Sequence, residues 1–194
     1  VHAEGRAARR VLEEAREAIA ARFGARGRDV VFTSGGTEAN ALAIRGLSAG
    51  RRVLVGATEH PAVLAAAGPA AEMIPVLADG TLDLAALEAA LKAGGPALVA
   101  VMAANNETGV LHPVDAIAAL CRAHGALLHL DAVQMPGRLP FALGPADSMA
   151  LSAHKLGGPK GVGALLLRLG LDPAPLLTGG GQESGRRGGT EALP

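Results

Sequence analysis

Aromatic side chains are almost absent from this 194-residue sequence, which has three phenylalanines, no tryptophan and no tyrosine. Because 49% of the residues are hydrophobic, a core can still form, but alanine, leucine, valine and isoleucine must fill it. The single cysteine has no partner for a disulfide within the chain, which fits a reducing compartment such as the cytoplasm. No apolar run approaches the ~18 residues that a membrane span requires.

The sequence also lacks an excess of charge of either sign. Its 18 basic and 18 acidic residues cancel, so no basic field favours nucleic acid as a partner. The first ten residues are polar and charged, unlike a secretory signal. The chain begins with valine, and residues 191–194 continue no helical or strand pattern. We therefore expect one domain and treat the chain as a fragment of a longer protein.

Strand-like and helix-like stretches alternate along most of the chain. Buried strands are predicted at 29–33, 52–56, 96–102, 126–130 and 148–151, with an edge strand at 72–76. Helices are predicted at 1–22, 84–92 and 113–124, and after the first two strands. This order predicts a three-layer α/β/α sandwich with a mostly parallel sheet. A strand at 162–167 follows its predecessor after a short turn, so it should be the one antiparallel strand.

Lys155 is one of only three lysines and comes just after a predicted buried strand. Lys92 ends a helix, where a cation complements the helix dipole, and Lys160 lies in a Gly-Pro-Lys-Gly turn. An amine at the exit of a buried strand, followed by a glycine-rich turn, has little access to solvent. Lost solvation lowers the pKa of an amine and makes it a nucleophile toward carbonyls. A plain loop cation is the alternative for Lys155.

Two more candidates follow the first two strands of the predicted sheet. Gly36 and Thr37 stand between a strand and a helix, where backbone N–H groups bind anions. The alternative is a tight turn with a threonine cap. His60 is placed to stack on a planar ring or to shuttle a proton, unless it simply caps the helix that follows.

The later strands end on polar residues as well. Asn106 supplies amide donors after a central strand, although an Asn-rich turn would look the same. Asp131 ends a hydrophobic strand, where an acid is costly unless a positive or protonated group meets it, and Gln134 follows. Strand carboxyl ends share one edge of a parallel sheet, so all these candidates should converge. A lysine, an acid and an anion cradle together are what pyridoxal phosphate requires.

Six motifs, in this order along the chain, resemble those of cysteine desulfurases. They are TSGGTEAN at 33–40, TEH at 58–60, NNETG at 105–109, DAVQ at 131–134, SAHK at 152–155 and GGGQESGRRGGT at 179–190. Cysteine desulfurases are fold-type I, class V aminotransferase-like enzymes that use pyridoxal 5'-phosphate to take sulfur from L-cysteine and release L-alanine. The resemblance implies that residues 1–194 form the cofactor-binding large domain. The family's N-terminal segment and C-terminal small domain would be absent from this chain.

The resemblance also implies a role for each candidate. Lys155 would be the Schiff-base lysine, Asp131 the partner of the pyridinium nitrogen, and His60 the ring-stacking residue. Gln134 would bind the phenolic oxygen, and Asn106 would lie near the ring and the substrate carboxylate. The phosphate would be held by Gly36 through its backbone and by the side chains of Thr37, Ser152 and His154. Thr190 would reach the phosphate of a second subunit, which implies a homodimer and gives the glycine-rich stretch at 178–190 a purpose.

The chain departs from the family at the nucleophile. In the family, the cysteine that accepts sulfur as a persulfide and the arginine that binds the substrate carboxylate follow the part matched here. Cys121 lies on the apolar stripe of a predicted helix, so we interpret it as a buried, inert thiol. We expect the full-length protein to be a desulfurase that passes sulfur to an acceptor protein, for example in iron–sulfur cluster assembly. The chain alone should bind cofactor at most and should not turn over.

Two other interpretations stay open at this point. The first is a related class V lyase, such as a selenocysteine lyase or a cysteine C–S lyase. The second is a non-catalytic scaffold that retains the fold. Retention of Lys155, Asp131 and His60 together argues against the scaffold.

Overall fold

A computed structural model describes residues 2–191, which form alternating helices and strands. The helices are α1 (Ala3–Phe23), α2 (Gly36–Leu47), α3 (Pro61–Ala67), α4 (Leu84–Lys92) and α5 (Val114–Ala123). The strands are β1 (Val30–Thr33), β2 (Arg52–Gly56), β3 (Glu72–Ile74), β4 (Ala97–Met102), β5 (Leu127–Asp131), β6 (Ser148–Ser152) and β7 (Gly163–Leu167). Short 3-10 turns cover Gly27–Asp29, Ala153–Lys155 and Gln182–Gly185. None of the described helices is long and apolar enough to cross a membrane.

The strands form one seven-stranded sheet in the order β1-β7-β6-β5-β4-β2-β3. The neighbours from β6 through β3 pair in parallel. β7 runs antiparallel to both β6 and β1, so it is the reversed strand among the described residues. The predicted mostly parallel sheet with one antiparallel strand is confirmed, and β3 lies at an edge as expected.

Helices cover both faces of the sheet. Along β4, Val99 and Val101 belong to the apolar cluster beneath α1, α4 and α5, whereas Ala100 faces α2 and α3. Successive strand residues point to opposite faces, so a strand buried on both sides is continuously apolar. The three-layer arrangement is therefore confirmed. Phe23 is the one phenylalanine that is buried, which leaves an aliphatic core.

The ends of the helices follow local chemistry. Gly24 adopts a left-handed conformation with φ of 75° and ends α1, as predicted. Asp83 caps α4 by accepting hydrogen bonds from the backbone N–H groups of Ala85 and Ala86. Pro113 was expected at the first helical position of α5 but lies one residue earlier, as the N-cap. Its ψ of 70° is not helical, so the helix begins at Val114.

The remaining differences from the predicted boundaries are one to two residues. β1 loses its first predicted residue because Asp29 closes a 3-10 turn by donating its backbone N–H to the carbonyl of Arg26. β3 ends before Pro75, which has no N–H to continue the ladder. The predicted helix at 1–22 is α1, although Val1 lies outside the described residues, as do residues 192–194.

Candidate active site

A cleft of about 310 Å³ opens where the carboxyl ends of the parallel strands meet the N-terminus of α2. Its volume is at the small end of the range for ligand pockets, which is about 300–1,000 Å³. Nine of the ten predicted site residues line it, namely Gly36, Thr37, His60, Asn106, Asp131, Gln134, Ser152, His154 and Lys155. The sheet topology therefore brings together residues that lie up to 119 positions apart, since 155 − 36 = 119.

The anion cradle is built by glycines that let two segments approach closely. A Cβ on Gly36 would lie 2.7 Å from Cγ2 of Val133, closer than side-chain contacts allow. Gly35 is the N-cap of α2, and within the described chain no side chain caps this helix. The free N–H groups of the first turn, together with the helix dipole, favour an anion there. Thr37 is the second residue of α2, so the alternative of a threonine cap is wrong.

Ser152 and His154 flank this cradle. Ser152 is the buried last residue of β6, and its Oγ lies 3.0 Å from Nδ1 of His154. The Oγ is also 3.9 Å from the position that a Cβ on Gly36 would take. The hydroxyl therefore lies beside the start of α2, where it can add a donor for an anion.

Asp131 ends β5 at the floor of the cleft and is 8% exposed. Its Oδ1 accepts the backbone N–H of Val133 at 3.0 Å, and its Oδ2 accepts Nδ2 of Asn40 at 2.7 Å. Burial raises the pKa of Asp131, while these two donors and the nearby His60 act to lower it. The acid at the end of an apolar strand is thus met by donors, as its position requires.

Sequence reasoning missed the two residues behind Asp131. Asn40 was quoted only as part of a motif, and His129 only as part of a strand. Nε2 of His129 lies 2.9 Å from Oδ1 of Asn40, and its Nδ1 lies 2.8 Å from Oγ of Ser148. The signal was spacing: His129 and Asp131 are two residues apart on one strand, so they share a face of the sheet.

Glu59 is a second buried acid that sequence reasoning left unassigned. It is 5% exposed, and its Oε1 accepts the backbone N–H of Met102 at 2.8 Å. Its Oε2 has no hydrogen-bond partner in the described structure. Burial raises the pKa of Glu59 well above its ordinary value, and the charge of Asp131 raises it further. The cleft therefore has two buried acids, and Asp131 at its floor receives one more hydrogen bond than Glu59 behind it.

His60 caps the helix that follows it, and its stacking or proton-transfer role stays a prediction. Its Nδ1 accepts the backbone N–H of Ala62 at 3.1 Å, which caps α3, while the exposed ring lines the cleft. The cap fixes the direction of the ring.

The two asparagines after β4 have different roles: Asn105 forms the turn, and Asn106 faces the cleft. The buried Asn105 forms the turn by accepting N–H groups from Glu107 and Thr108. Asn106 is exposed and faces the cleft, with its Nδ2 donating to Glu107 at 2.7 Å.

Lys155 lies at the rim, and one expectation about it is wrong. Its side chain was expected to have little access to solvent, but Lys155 and His154 are both exposed. The reason is the 3-10 turn at Ala153–Lys155, which lifts the chain away from the end of β6. The backbone of Lys155 is held by Arg138, whose Nη1 donates to its carbonyl at 3.1 Å.

Thr190 is the one predicted residue outside the cleft. It is exposed and lines a separate groove with Val11 of α1 and Phe32 of β1. The segment before it is anchored, because Arg187 donates to Glu38 at 2.8 Å and Glu38 accepts the backbone N–H of Ser34 at 2.7 Å. The glycine-rich stretch is therefore an ordered loop held beside the start of α2.

Cys121 lies in the apolar cluster beneath α5, and its predicted burial is confirmed. Burial raises the pKa of this thiol to about 12. Within residues 2–191, no group of three histidine, cysteine or acidic side chains could hold a metal ion. The cleft itself presents the amine of Lys155, the carboxylate of Asp131 and the imidazole of His60.

Comparison with known proteins decides the family. The family model for class-V aminotransferases matches residues 1–188. The chain belongs to the class-V aminotransferase family. Within that family, it is 46% identical to a cysteine desulfurase of Cereibacter sphaeroides over 208 residues, which covers 100% of this chain and 54% of that protein.

Two solved structures have the same fold as this chain. A NifS-like protein from Rickettsia africae superposes with a TM-score of 0.93 at 34% identity, covering 98% of this chain and 56% of that one. A structure of SspA in complex with cysteine gives a TM-score of 0.91 at 33% identity, covering 98% and 59% respectively. The chain therefore spans a little over half the length of these relatives.

The class-V family implies pyridoxal phosphate as cofactor, and the cleft fits that group. Gly36 leaves room where any side chain would collide with Val133, so a phosphate can approach the backbone of α2. Asp131 supplies a buried carboxylate, and Lys155 supplies an amine at the same cleft. Anion cradle, acid and amine are the donor set that this cofactor uses.

Proposed function

We propose that this chain is the cofactor-binding large domain, residues 1–194, of a pyridoxal phosphate-dependent cysteine desulfurase. The convergence of Lys155, Asp131 and the α2 cradle on one cleft carries the proposal. The relative from Cereibacter sphaeroides named cysteine desulfurase and the SspA structure with bound cysteine support L-cysteine as the substrate. The full-length protein would act in the cytoplasm.

The cradle would hold the phosphate of the cofactor. In this proposal the backbone of Gly36 and the side chains of Thr37, Ser152 and His154 donate to it. The free N–H groups at the start of α2 and the positive end of the helix dipole favour its negative charge. His60, held by its bond to Ala62, would stack on the ring.

The far side of the cleft would bind the polar atoms of the ring. Asp131 would accept a hydrogen bond from the protonated ring nitrogen. Gln134 would donate a hydrogen bond to the phenolic oxygen, and Asn106 would lie near the substrate carboxylate. When bound, pyridoxal phosphate supplies an electron sink for bonds to the α-carbon of an amino acid. A charged Asp131 favours that chemistry because it keeps the ring nitrogen protonated.

Lys155 would attach the aldehyde through its Nζ. Its position on an exposed 3-10 turn lets the side chain reach the cleft and also leave it when a substrate amine takes its place. Once free, Nζ can hold the proton removed from the substrate. Lys155 and His60 are therefore the proposed catalytic residues of this chain.

The sulfur-accepting cysteine would lie in the rest of the full-length protein. Cys121 cannot fill that role, because it is buried and burial raises its pKa to about 12. The anchored loop before Thr190 presents this residue at the surface, which supports a homodimer in which Thr190 reaches the cofactor of the partner subunit. A sulfur-acceptor protein would then take the persulfide sulfur.

The lysine assignment is tested by reduction. The chain is incubated with pyridoxal phosphate, the visible spectrum is recorded, and borohydride is added before peptide mapping. We expect a visible absorption band that borohydride removes, with the label on Lys155. Lys155→Ala should lose the band, whereas Lys160→Ala, the matched control from the neighbouring turn, should keep it. A label on Lys92 or Lys160 would contradict the assignment.

The activity is tested on the chain alone and on a full-length protein that contains it. The chain should release no sustained sulfide from L-cysteine, and the full-length protein should release it. Turnover of L-selenocysteine but not of L-cysteine by the full-length protein would favour a selenocysteine lyase. Unchanged spectra in Lys155→Ala would instead favour a scaffold without catalysis.

A further inference from the structure

Behind the cleft, three polar side chains form an unbroken line to Asp131. Ser148 on β6, His129 on β5 and Asn40 on α2 are each at most 2% exposed. The links measure 2.8 Å from Ser148 to His129, 2.9 Å from His129 to Asn40 and 2.7 Å from Asn40 to Asp131. Buried polar groups are costly unless each is satisfied, so this line must have one consistent pattern of donors and acceptors.

An ionised Asp131 would fix that pattern. A carboxylate only accepts, so the Nδ2 amide of Asn40 must face Asp131 and its Oδ1 must face His129. Oδ1 only accepts, so His129 must carry its proton on Nε2. Because burial lowers the pKa of His129 to about 3, the ring is neutral and has only that one N–H. Nδ1 is then an acceptor, and Ser148 must donate to it.

We propose that Ser148, His129 and Asn40 form a one-way hydrogen-bond relay that orients Asp131 and holds its carboxylate in the ionised form. All three donors point toward the acid, so each bond polarises the next in the direction that stabilises negative charge. The relay is proposed for the chain without cofactor, and in that state it does not depend on the proposed function. Its consequence, a protonated ring nitrogen on a bound cofactor, rests on the proposed function.

The relay is needed because other surroundings of Asp131 work against its charge. Burial disfavours the ionised form, and Glu59 on the loop after β2 is a second acid nearby. His60, at the rim of the cleft, acts to lower the pKa of Asp131. The backbone N–H of Val133 also donates a hydrogen bond to Asp131. Asn40 therefore supplies the one side-chain hydrogen bond to Asp131 in the described residues.

The tautomer of His129 reports the state of Asp131. If Asp131 were protonated, Asn40 could turn its oxygen toward the acid, and the proton of His129 would move to Nδ1 to face Ser148. These two states have different imidazole nitrogen shifts. The nitrogen shifts of His129 therefore show in which direction the hydrogen bonds of the relay point, and the measurement needs neither cofactor nor turnover.

The first experiment is nitrogen-15 NMR of the histidine side chains in protein containing residues 1–194. At pH 7 we expect neutral His129 with its proton on Nε2. His112 is the internal reference, because it is also buried, accepts the N–H of Leu82 at its Nδ1, and lies outside the relay. A proton on Nδ1 of His129, or a charged ring, would overturn the proposal.

The second experiment is a carbon-13 carboxyl titration of Asp131. Asn40→Leu should shift the midpoint upward and Ser148→Ala should shift it less, since Ser148 is three hydrogen bonds away from Asp131. Asn105→Leu is the matched control, because Asn105 is similarly buried but bonds to Thr58 and the following turn. If Asn40→Leu does not fold, the relay is still tested by the Asp131 midpoint in Ser148→Ala and by the tautomer of His129 in wild type. Equal midpoints in wild type and the folded relay variants would overturn the relay.

Failure of the relay and failure of the proposed function are separable. A protein that binds no pyridoxal phosphate but has the Nε2 tautomer and the shifted midpoints would overturn the function and support the relay. A protein that binds the cofactor through Lys155 with unshifted midpoints would do the reverse.

Discussion

At the scale of single residues, hydrogen-bond donors distinguish the two buried acids at the cleft. Asp131 receives two hydrogen bonds and Glu59 receives one, and Oε2 of Glu59 has no partner within residues 2–191. Removing a carboxylate from water is tolerated only when donors replace its hydration. The difference in donors explains why the pKa is raised so much more strongly for Glu59 than for Asp131.

Glu59 predicts a dependence of stability on pH. The folded state binds its proton more tightly than the unfolded state, whose value is near 4.5. This contribution to stability is therefore complete below about pH 4.5 and is lost as the pH rises toward the folded pKa, by up to about 1.4 kcal/mol per pH unit. Relative to Glu59→Gln, wild type should become less stable in urea unfolding as the pH rises from 5 toward the folded pKa of Glu59.

The control for this measurement is Glu107→Gln, which changes an exposed glutamate on the loop after β4. This variant removes one acid that is exposed to solvent, so it shows what the loss of a carboxylate does without burial. A difference between wild type and Glu59→Gln that stays constant from pH 5 to pH 8 would show that Glu59 is charged in the folded protein.

Gly36 predicts a sharp contrast between two glycine substitutions. Gly36→Ala would place a Cβ 2.7 Å from Val133, and such overpacking costs about 1–3 kcal/mol. It would also displace the first turn of α2, so affinity for pyridoxal phosphate should fall at least tenfold. The readouts are the urea midpoint and a titration of the visible band.

The control for Gly36 is Gly5→Ala in α1, where nothing lies within 4 Å of the added carbon. Alanine is the better helix former by up to about 1 kcal/mol, so this variant should be equal to or more stable than wild type. If both variants had the same urea midpoint and the same affinity for pyridoxal phosphate, the cradle would not depend on the close approach of α2 to Val133.

At the scale of elements, α1 and the glycine-rich loop are joined by a buried ion pair. Arg16 donates to both oxygens of Glu183, at 2.6 Å and 2.9 Å, and also to the carbonyl of Val30 at 2.8 Å. Glu183 accepts the backbone N–H of Phe32 as well. Glu183 and Ser184 have φ angles of 48° and 58°, which non-glycine residues seldom adopt. The ion pair holds the loop in this conformation.

Removing one partner of this pair should therefore release the loop. Arg16→Met leaves the Glu183 carboxylate buried and unpaired, with an expected loss of about 3 kcal/mol in urea unfolding. Limited proteolysis should then cut within 178–190. The double variant Arg16→Met with Glu183→Met should recover part of the loss, because no unpaired charge remains.

Arg10→Met is the matched control on the same helix. Arg10 and Glu14 lie 3.9 Å apart with side chains that are 73% and 70% exposed. Exposed pairs contribute little, so this variant should unfold like wild type. Comparable losses for the two arginine variants would contradict the role given to burial.

At the scale of the whole molecule, Cys121 offers a single reporter of unfolding. It is the only cysteine of the chain, it lies on the buried face of α5, and burial raises its pKa to about 12. A thiol reagent at pH 8 should therefore react with the native chain far more slowly than with the urea-unfolded chain. The rate should follow the global unfolding curve measured by circular dichroism.

A reaction as fast in buffer as in urea would contradict this picture. It would place Cys121 at the surface or on a segment that opens without global unfolding. Addition of pyridoxal phosphate should slow the reaction further if the folded state binds it, since a ligand that binds only the folded state stabilises it.

Much of the architecture could be predicted because the strands are short apolar runs bounded by glycine, proline and polar residues. The parallel sheet, the reversed β7 and the edge position of β3 follow from local pattern and from connection length. The boundaries were wrong where a single dihedral angle decided them, as at Pro113. The exposure of Lys155 was wrong because one 3-10 turn changed the direction of the chain.

The sequence by itself determined the fold class and the group of residues at one edge of the sheet. Both depend on periodicity and on polar residues at the ends of strands, which are local properties. Only the tertiary structure decided that Asn40 from α2 meets Asp131, and that Glu59 is buried beside the same site. Hydrogen-bond partners and desolvation depend on which distant segments pack together, and no local pattern in one chain contains that information.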